Sequence, residues 1–439
     1  MNLKNLFFIL FLLFICLDDL KSQEAVQFPI YVDTVFVVGN KKTHEEVILR
    51  EIPFTLPDSM DETDFRTIKN RITNLFLFNR VELQLTRVAG RVALIIMVTE
   101  SWYIYPVPLL FINERDWDKL SYGMQFSHFN FRGRNEKLSL GGWLGYNPGF
   151  FINYYNPWLG KETRLILGIS LSHNRVANKI FDFDQIQSSL KLTLGRQFTL
   201  RFSTALTFSL QQIKLPGGYQ QFSLSGNGTD FVPAISYRVT YDNRDLREYP
   251  RRGFFHQSSF QRTGLTNRQP RFWRFQFDNR AYIPLYKLIS LGARNYLLIN
   301  EGSLPIYDRS FLGYSERIRG YYDRIFPPLG QYRNFDSPQL MLNSLEIRFP
   351  LLPVRYFTWK NAPFFASLYK DLKFGISGGV FIDSGTAWQQ TRQLSLSKFF
   401  TGYGLGLHIH LPYANVLRIE HAWSDEGQGQ WIVDVNVYF

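Results

Sequence analysis

"LRFSTALTFSLQ", residues 200–211, alternates without interruption over most of its length. In an extended strand successive side chains point to opposite faces. Leu200, Phe202, Leu206, Phe208 and Leu210 therefore share one face, and Arg201, Ser203, Ala205, Thr207, Ser209 and Gln211 share the other. The stretch predicts a strand with one apolar and one wet face. "YGLGLHIHL" (403–411) repeats the pattern, with Tyr403, Leu405, Leu407, Ile409 and Leu411 opposite Gly404, Gly406, His408 and His410. "WIVDVNVYF" (431–439) does so again, with Trp431, Val433, Val435, Val437 and Phe439 opposite Ile432, Asp434, Asn436 and Tyr438.

A soluble sandwich also alternates, so the identity of the faces has to decide. Here Tyr and Trp cap the apolar faces as an aromatic girdle would, and the polar faces are rich in Gly, Ser and Arg, as a wet lumen requires. A soluble barrel would hold large aliphatic side chains inside instead. From Trp102 onward no run reaches the 18 apolar residues of a membrane helix. Aromatics make up 17% of the 439 residues, a share that favours pleated surfaces. Sixteen strands are predicted, starting near residues 102, 120, 136, 151, 164, 185, 200, 230, 253, 271, 288, 340, 372, 400, 415 and 431. An even number returns both ends to one side of a membrane. Connections after even-numbered strands are mostly short ("RGRN", "LGKET", "YK", "PYA"), while those after odd-numbered strands include "PGGYQQFSLSGNGT", residues 301–339 and "TAWQQTRQLSLSK". Residues 352–371 break that rule, being long for a turn on the short side.

The chain opens with Lys4, an apolar run from Leu6 to Leu17 and then Asp18 and Asp19, the layout of an export signal over residues 1–22. Its single cysteine, Cys16, lies there, so the exported remainder would hold no disulfide and no thiolate site. The net charge of +12 fits nucleic acid or membrane phosphates equally. Export argues against nucleic acid.

Residues 28–100 read differently. "IYVDTVFVVGNKKTHEEVILREI" predicts a strand ending at Gly39 and Asn40, then a helix from His44 to Glu51 with Thr43 as its N-cap. "DETDFRTIKNRITNLFLF" predicts a second helix, with Phe65, Ile68, Ile72, Leu75 and Leu77 near helical spacing. The strands "RVELQLTR" and "RVALIIMVTE" follow. This βααββ order, with "VFVVGNKKT" and "LFLFNRVEL", resembles a POTRA domain, a periplasmic module that binds client chains by strand addition. A short sheet with a free edge suits that mode. The fold class is therefore mainly β: a 16-stranded antiparallel transmembrane β-barrel (101–439) preceded by one small α+β domain (28–100).

"SERIRGYYDR" (315–324) lies in the longest loop, between the eleventh and twelfth strands. Its Arg317, Ile318, Arg319, Gly320 and Tyr321 resemble the [VI]-R-G-[FY] loop motif of the BamA, TamA and FhaC superfamily, the eighty-five-kilodalton outer-membrane proteins. "YDNRDLREYPRRGFF" and the terminal "VNVYF" also resemble segments of that family. The resemblance implies that the loop folds into the lumen and that Arg319 meets an acid on the wall. Alternation independently places Lys373, Ser377, Phe381 and Asp383 inside, opposite Leu372, Phe374, Ile376, Val380 and Ile382, and Ser344, Glu346 and Arg348 inside on the preceding strand. Asp383, in a "VFIDSG" that resembles the family's F-x-D-x-G, is the first candidate partner and Glu346 the second.

In the first barrel strand, "WYIYPVPLLFI", Pro106 and Pro108 lack N–H groups and point the same way, so one edge loses two donors. That edge is expected at a lateral seam with the last strand, Trp431 to Phe439. No catalytic residues are expected: "GISGG" (375–379) matches G-x-S-x-G, but a nucleophile elbow needs a strand-to-helix turn. His408 and His410 are too few ligands for zinc, and no cofactor is expected. The resemblance implies insertion or translocation of unfolded outer-membrane or secreted polypeptides. Outer-membrane lipid is an expected partner, and accessory periplasmic lipoproteins are a further one. The alternatives are a dedicated two-partner-type secretion pore and a passive outer-membrane channel.

Overall fold

A computed structural model describes residues 28–435 except 89, 113–118, 161, 179–182, 266–268, 303, 309–311, 313–316, 322–338, 361–365, 389–398 and 414–415. The expected export signal and Phe439 lie outside the described residues. No helix among the described residues is long and apolar enough to cross a membrane.

The N-terminal unit runs β1 (Ile30–Val32), β2 (Thr34–Val38), α1 (Glu45–Leu49), β3 (Asp58–Met60), α2 (Glu62–Thr73), β4 (Phe78–Val88) and β5 (Arg91–Glu100). The single first strand expected from sequence is two. At Asp33 the carboxylate accepts from the Val92 amide at 2.7 Å, so β1 turns away to pair with β3 while β2 joins a sheet in the order β2-β5-β4. Helix α2 starts at a capping box, Asp61 and Asp64 each accepting from the other's backbone amide, and it buries Ile68 and Ile72 against Ile48, Leu94 and Ile96. Asp61→Ala should remove about 1 kcal/mol of local stability. Hydrogen exchange of the 62–73 amides should then speed up about fivefold, and unchanged rates would show that the cap contributes nothing.

The remainder is one antiparallel sheet of 16 strands in sequence order. Its first eight are β6 (Ile104–Ile112), β7 (Leu120–Phe131), β8 (Glu136–Gly145), β9 (Gly149–Leu159), β10 (Leu165–Asn178), β11 (Phe183–Gln197), β12 (Phe202–Lys214) and β13 (Thr229–Asp242). The other eight are β14 (Gly253–Thr263), β15 (Phe272–Tyr286), β16 (Ile289–Gly302), β17 (Gln339–Phe357), β18 (Leu372–Trp388), β19 (Phe400–His410), β20 (Val416–Ser424) and β21 (Gly429–Val435). Alternation decides the faces. Leu405 and Leu407 are exposed on the outside, whereas their neighbours Gly406 and His408 are buried inside.

Three details differ from expectation. Leu200 lies in the turn before β12, where its carbonyl accepts from Arg71 Nη1 at 3.2 Å. Leu372 is only 6% exposed, because β18 begins beside the N-terminal unit rather than in the apolar belt. The long segment after residue 352 is partly strand: β17 continues to Phe357 through register shifts near Pro350 and Leu352, and unbroken apolar composition hid the alternation there.

The N-terminal unit docks on the connections that follow even-numbered barrel strands. The His44 amide donates to Gly133 O at 2.9 Å, Asn74 Nδ2 donates to Asp245 O at 2.9 Å, and Arg80 pairs with Asp371 at 3.3 Å. Thr43 is not the cap of α1, which is His44. Its hydroxyl instead meets Tyr103 Oη at 3.0 Å and Asn130 Nδ2 at 2.9 Å, a buried tie from the small unit to β6 and β7. Burial pushes the Tyr103 phenol up, so it stays a neutral hydrogen-bonding group.

Candidate functional site

Between β16 and β17, residues 317–321 lie against the inner wall. Ile318 is buried against Tyr296, Leu298, Leu340 and Leu342. Tyr321 stacks edge-on against Phe400 with centroids 5.5 Å apart and donates to Asp425. Arg317 pairs with Asp434 of the last strand. Gly320 has φ +101° and packs so closely that a Cβ would lie 2.6 Å from Trp423 O. Only glycine meets both conditions.

Arg319 is at the centre. Its Nε and Nη2 donate to Asp383 at 2.7 and 2.8 Å, a bidentate fork, and its own amide donates to the same carboxylate at 3.1 Å. Nη1 donates to Glu346 at 2.9 Å and to Glu420 at 3.1 Å. The guanidinium also lies 3.5 Å over the Phe381 ring. Two further arginines complete the set. Arg418 pairs with Glu346 and with Glu420, the latter at 2.6 Å, and Arg348 pairs with Glu346 at 2.6 Å. Three guanidinium groups thus meet three carboxylates, all six almost fully buried. Charge balance is what permits this, since an uncompensated buried charge is costly.

Sequence reasoning placed Asp383, Glu346 and Arg348 on the inner face but did not pick out Arg418 and Glu420. The signal was present in "VLRIEHAWS", where Val416, Arg418, Glu420, Ala422 and Ser424 are buried opposite Leu417, Ile419, His421 and Trp423. Glu346, His408 and Glu420 hold ligand atoms within 4.8 Å of one another, a spacing a metal could bridge. The arginines already supply the positive charge there, and His408 Nδ1 is taken by Tyr249 Oη at 2.7 Å. Ser377 Oγ lies 3.0 Å from His410 Nε2, but it sits inside β18 rather than at a strand-to-helix turn.

Pro106 and Pro108 lie on β6, an edge of the sheet, and β21 is the other edge. Among the described residues no ladder joins the two. The register settles which side of β6 lacks donors. Tyr103 O accepts from the Phe129 amide, and the pairing continues as Tyr105 with Ser127 and Val107 with Gln125. Odd-numbered residues therefore face β7, and the even-numbered Pro106 and Pro108 aim their missing N–H groups outward. On β21, Trp431, Val433 and Val435 are 70, 66 and 54% exposed.

The Omp85 superfamily domain matches residues 130–435. The chain belongs to the Omp85 superfamily. A POTRA domain, the surface antigen variable number repeat, matches residues 30–101. No curated protein matches the chain by sequence. Among solved structures it is similar to BamA from Haemophilus ducreyi lacking POTRA domains 1–3, with 16% identity, TM-score 0.54, and coverage of 94% of this chain and 84% of that one. It is also similar to CdiB from Acinetobacter baumannii, with 14% identity, TM-score 0.47, and coverage of 92% and 73%. These likenesses concern the fold alone; the family models make the chain an Omp85 outer-membrane protein with one POTRA domain.

Proposed function

We propose that this Omp85 protein inserts or translocates unfolded polypeptides at the outer membrane by exchanging backbone hydrogen bonds, with no covalent step and no cofactor. Residues 1–22 direct export, and the POTRA domain faces the periplasm. The observation that carries the reading is the edge of β6. Two proline positions on one edge leave it short of donors, and among the described residues it has no ladder to β21. An unpaired strand edge is a template for another chain, and in lipid the drive to pair is stronger than in water. A client strand would pair at β2, the outer edge of the POTRA sheet where Phe36 and Val38 are exposed, and then at the seam. Outer-membrane lipid receives an inserted client, and periplasmic lipoproteins serve as accessories.

Depletion followed by proteomics of outer membrane and medium tests this. Broad loss of other barrels supports general assembly, and loss of one exported protein supports a dedicated secretion pore. No change in either fraction leaves a passive channel. Complementation adds the mechanism: a cysteine pair, one on β6 and one on β21, should fail to restore growth when oxidised and succeed when reduced. Full rescue by the oxidised form would remove the seam from the mechanism.

A further inference from the structure

Between α2 and the inner barrel wall lies a cavity of about 760 Å³. Ten arginine and lysine side chains line it against three acids. The acids are already engaged. Glu51 takes Arg71 at 2.7 Å, and Asp242 takes Arg244 at 2.9 Å and Arg247 at 3.0 Å. Asp245 accepts backbone amides of its own turn, from Leu246 at 2.8 Å and Arg251 at 3.0 Å. Lys137, Arg201 and Arg238 form none of those pairs. Lys137 on β8 and Arg238 on β13 stand on the inner face, opposite the outward Leu140 and Tyr237. Arg50 stacks on Trp158 at 4.8 Å with its buried Nε unpartnered.

Such a concave surplus of positive charge concentrates anions. Its position narrows the class. Strands wall it off from lipid, so acyl chains have no direct route into it. It also lies where a chain leaving the POTRA domain would meet the lumen. We propose that this chamber receives acidic stretches of unfolded polypeptide, holding their carboxylates through guanidinium and ammonium contacts. The inference deepens the polypeptide-handling reading and rests on it.

The test uses the full chain in detergent and a short labelled peptide alternating Glu and Ser, read by fluorescence anisotropy. The peptide should bind with an affinity that falls as salt rises, and a Lys-Ser peptide should not bind. The double variant Lys137→Gln/Arg238→Gln should bind about fivefold more weakly, and Lys137→Arg/Arg238→Lys should bind normally, which separates charge from fold. Equal affinity in the Gln variant, binding of the Lys-Ser peptide, or displacement of the Glu-Ser peptide by phosphatidylglycerol micelles would each overturn the proposal. An unchanged proteome on depletion would instead remove the polypeptide-handling reading, whatever the peptide does.

Discussion

Arg319→Ala is expected to destabilise the protein by about 3–5 kcal/mol, because it leaves three buried carboxylates facing two guanidinium groups. Asp383 loses most, since the Arg319 side chain supplies both prongs of its fork and only the amide of residue 319 remains to it. The barrel strands that carry the acids, β17, β18 and β20, should loosen together with the loop. Denaturation in detergent followed by tryptophan fluorescence reads the stability. Conductance across a planar bilayer reads the loop, which should occlude the native lumen and open it in the variant. Arg319→Lys keeps the charge but loses the planar fork, so it should fall between the two. Native stability in Arg319→Ala would mean that the acids find other compensation and that the charge cluster does not hold the loop.

Gly402→Ala should unseat the same loop without touching a charge. A Cβ at this position on β19 would lie 1.7 Å from the Arg319 carbonyl oxygen, a backbone atom that cannot swing aside. Either the loop lifts or the wall bends, and overpacking of this kind costs about 1–3 kcal/mol. Lifting the loop also stretches the Arg319 to Asp383 fork, so conductance should rise as it does in Arg319→Ala. Gly142→Ala is the control: the nearest atom to its Cβ is 3.8 Å away, and both stability and conductance should stay native. A silent Gly402→Ala would show that the loop is held elsewhere than against β19.

Lumen and lipid faces were legible strand by strand because a period of two is a local property, visible wherever one side meets lipid and the other water. The same rule placed Asp383 and Glu346 inside without any knowledge of the loop. It worked less well where an element end leaves the belt: Leu200 belongs to a turn and Leu372 to a junction, and apolar character there reflects other contacts. Thr43 shows the same limit in the POTRA domain. Its type and position suit a cap, yet its hydroxyl reaches Tyr103 and Asn130, partners 60 and 87 residues away.

By itself the sequence determined the sixteen strands, their faces, the small α+β domain ahead of them and the loop motif, since each rests on local spacing and composition. Only the tertiary structure decided that Arg319 meets three acids at once and that Arg348 and Arg418 balance them. Those groups come from a loop and three strands far apart in the chain, and their spacing depends on the register of neighbouring ladders. It also decided that the gaps left by Pro106 and Pro108 face away from β7, because the direction of a strand's donors is set by which residues its neighbour has already paired.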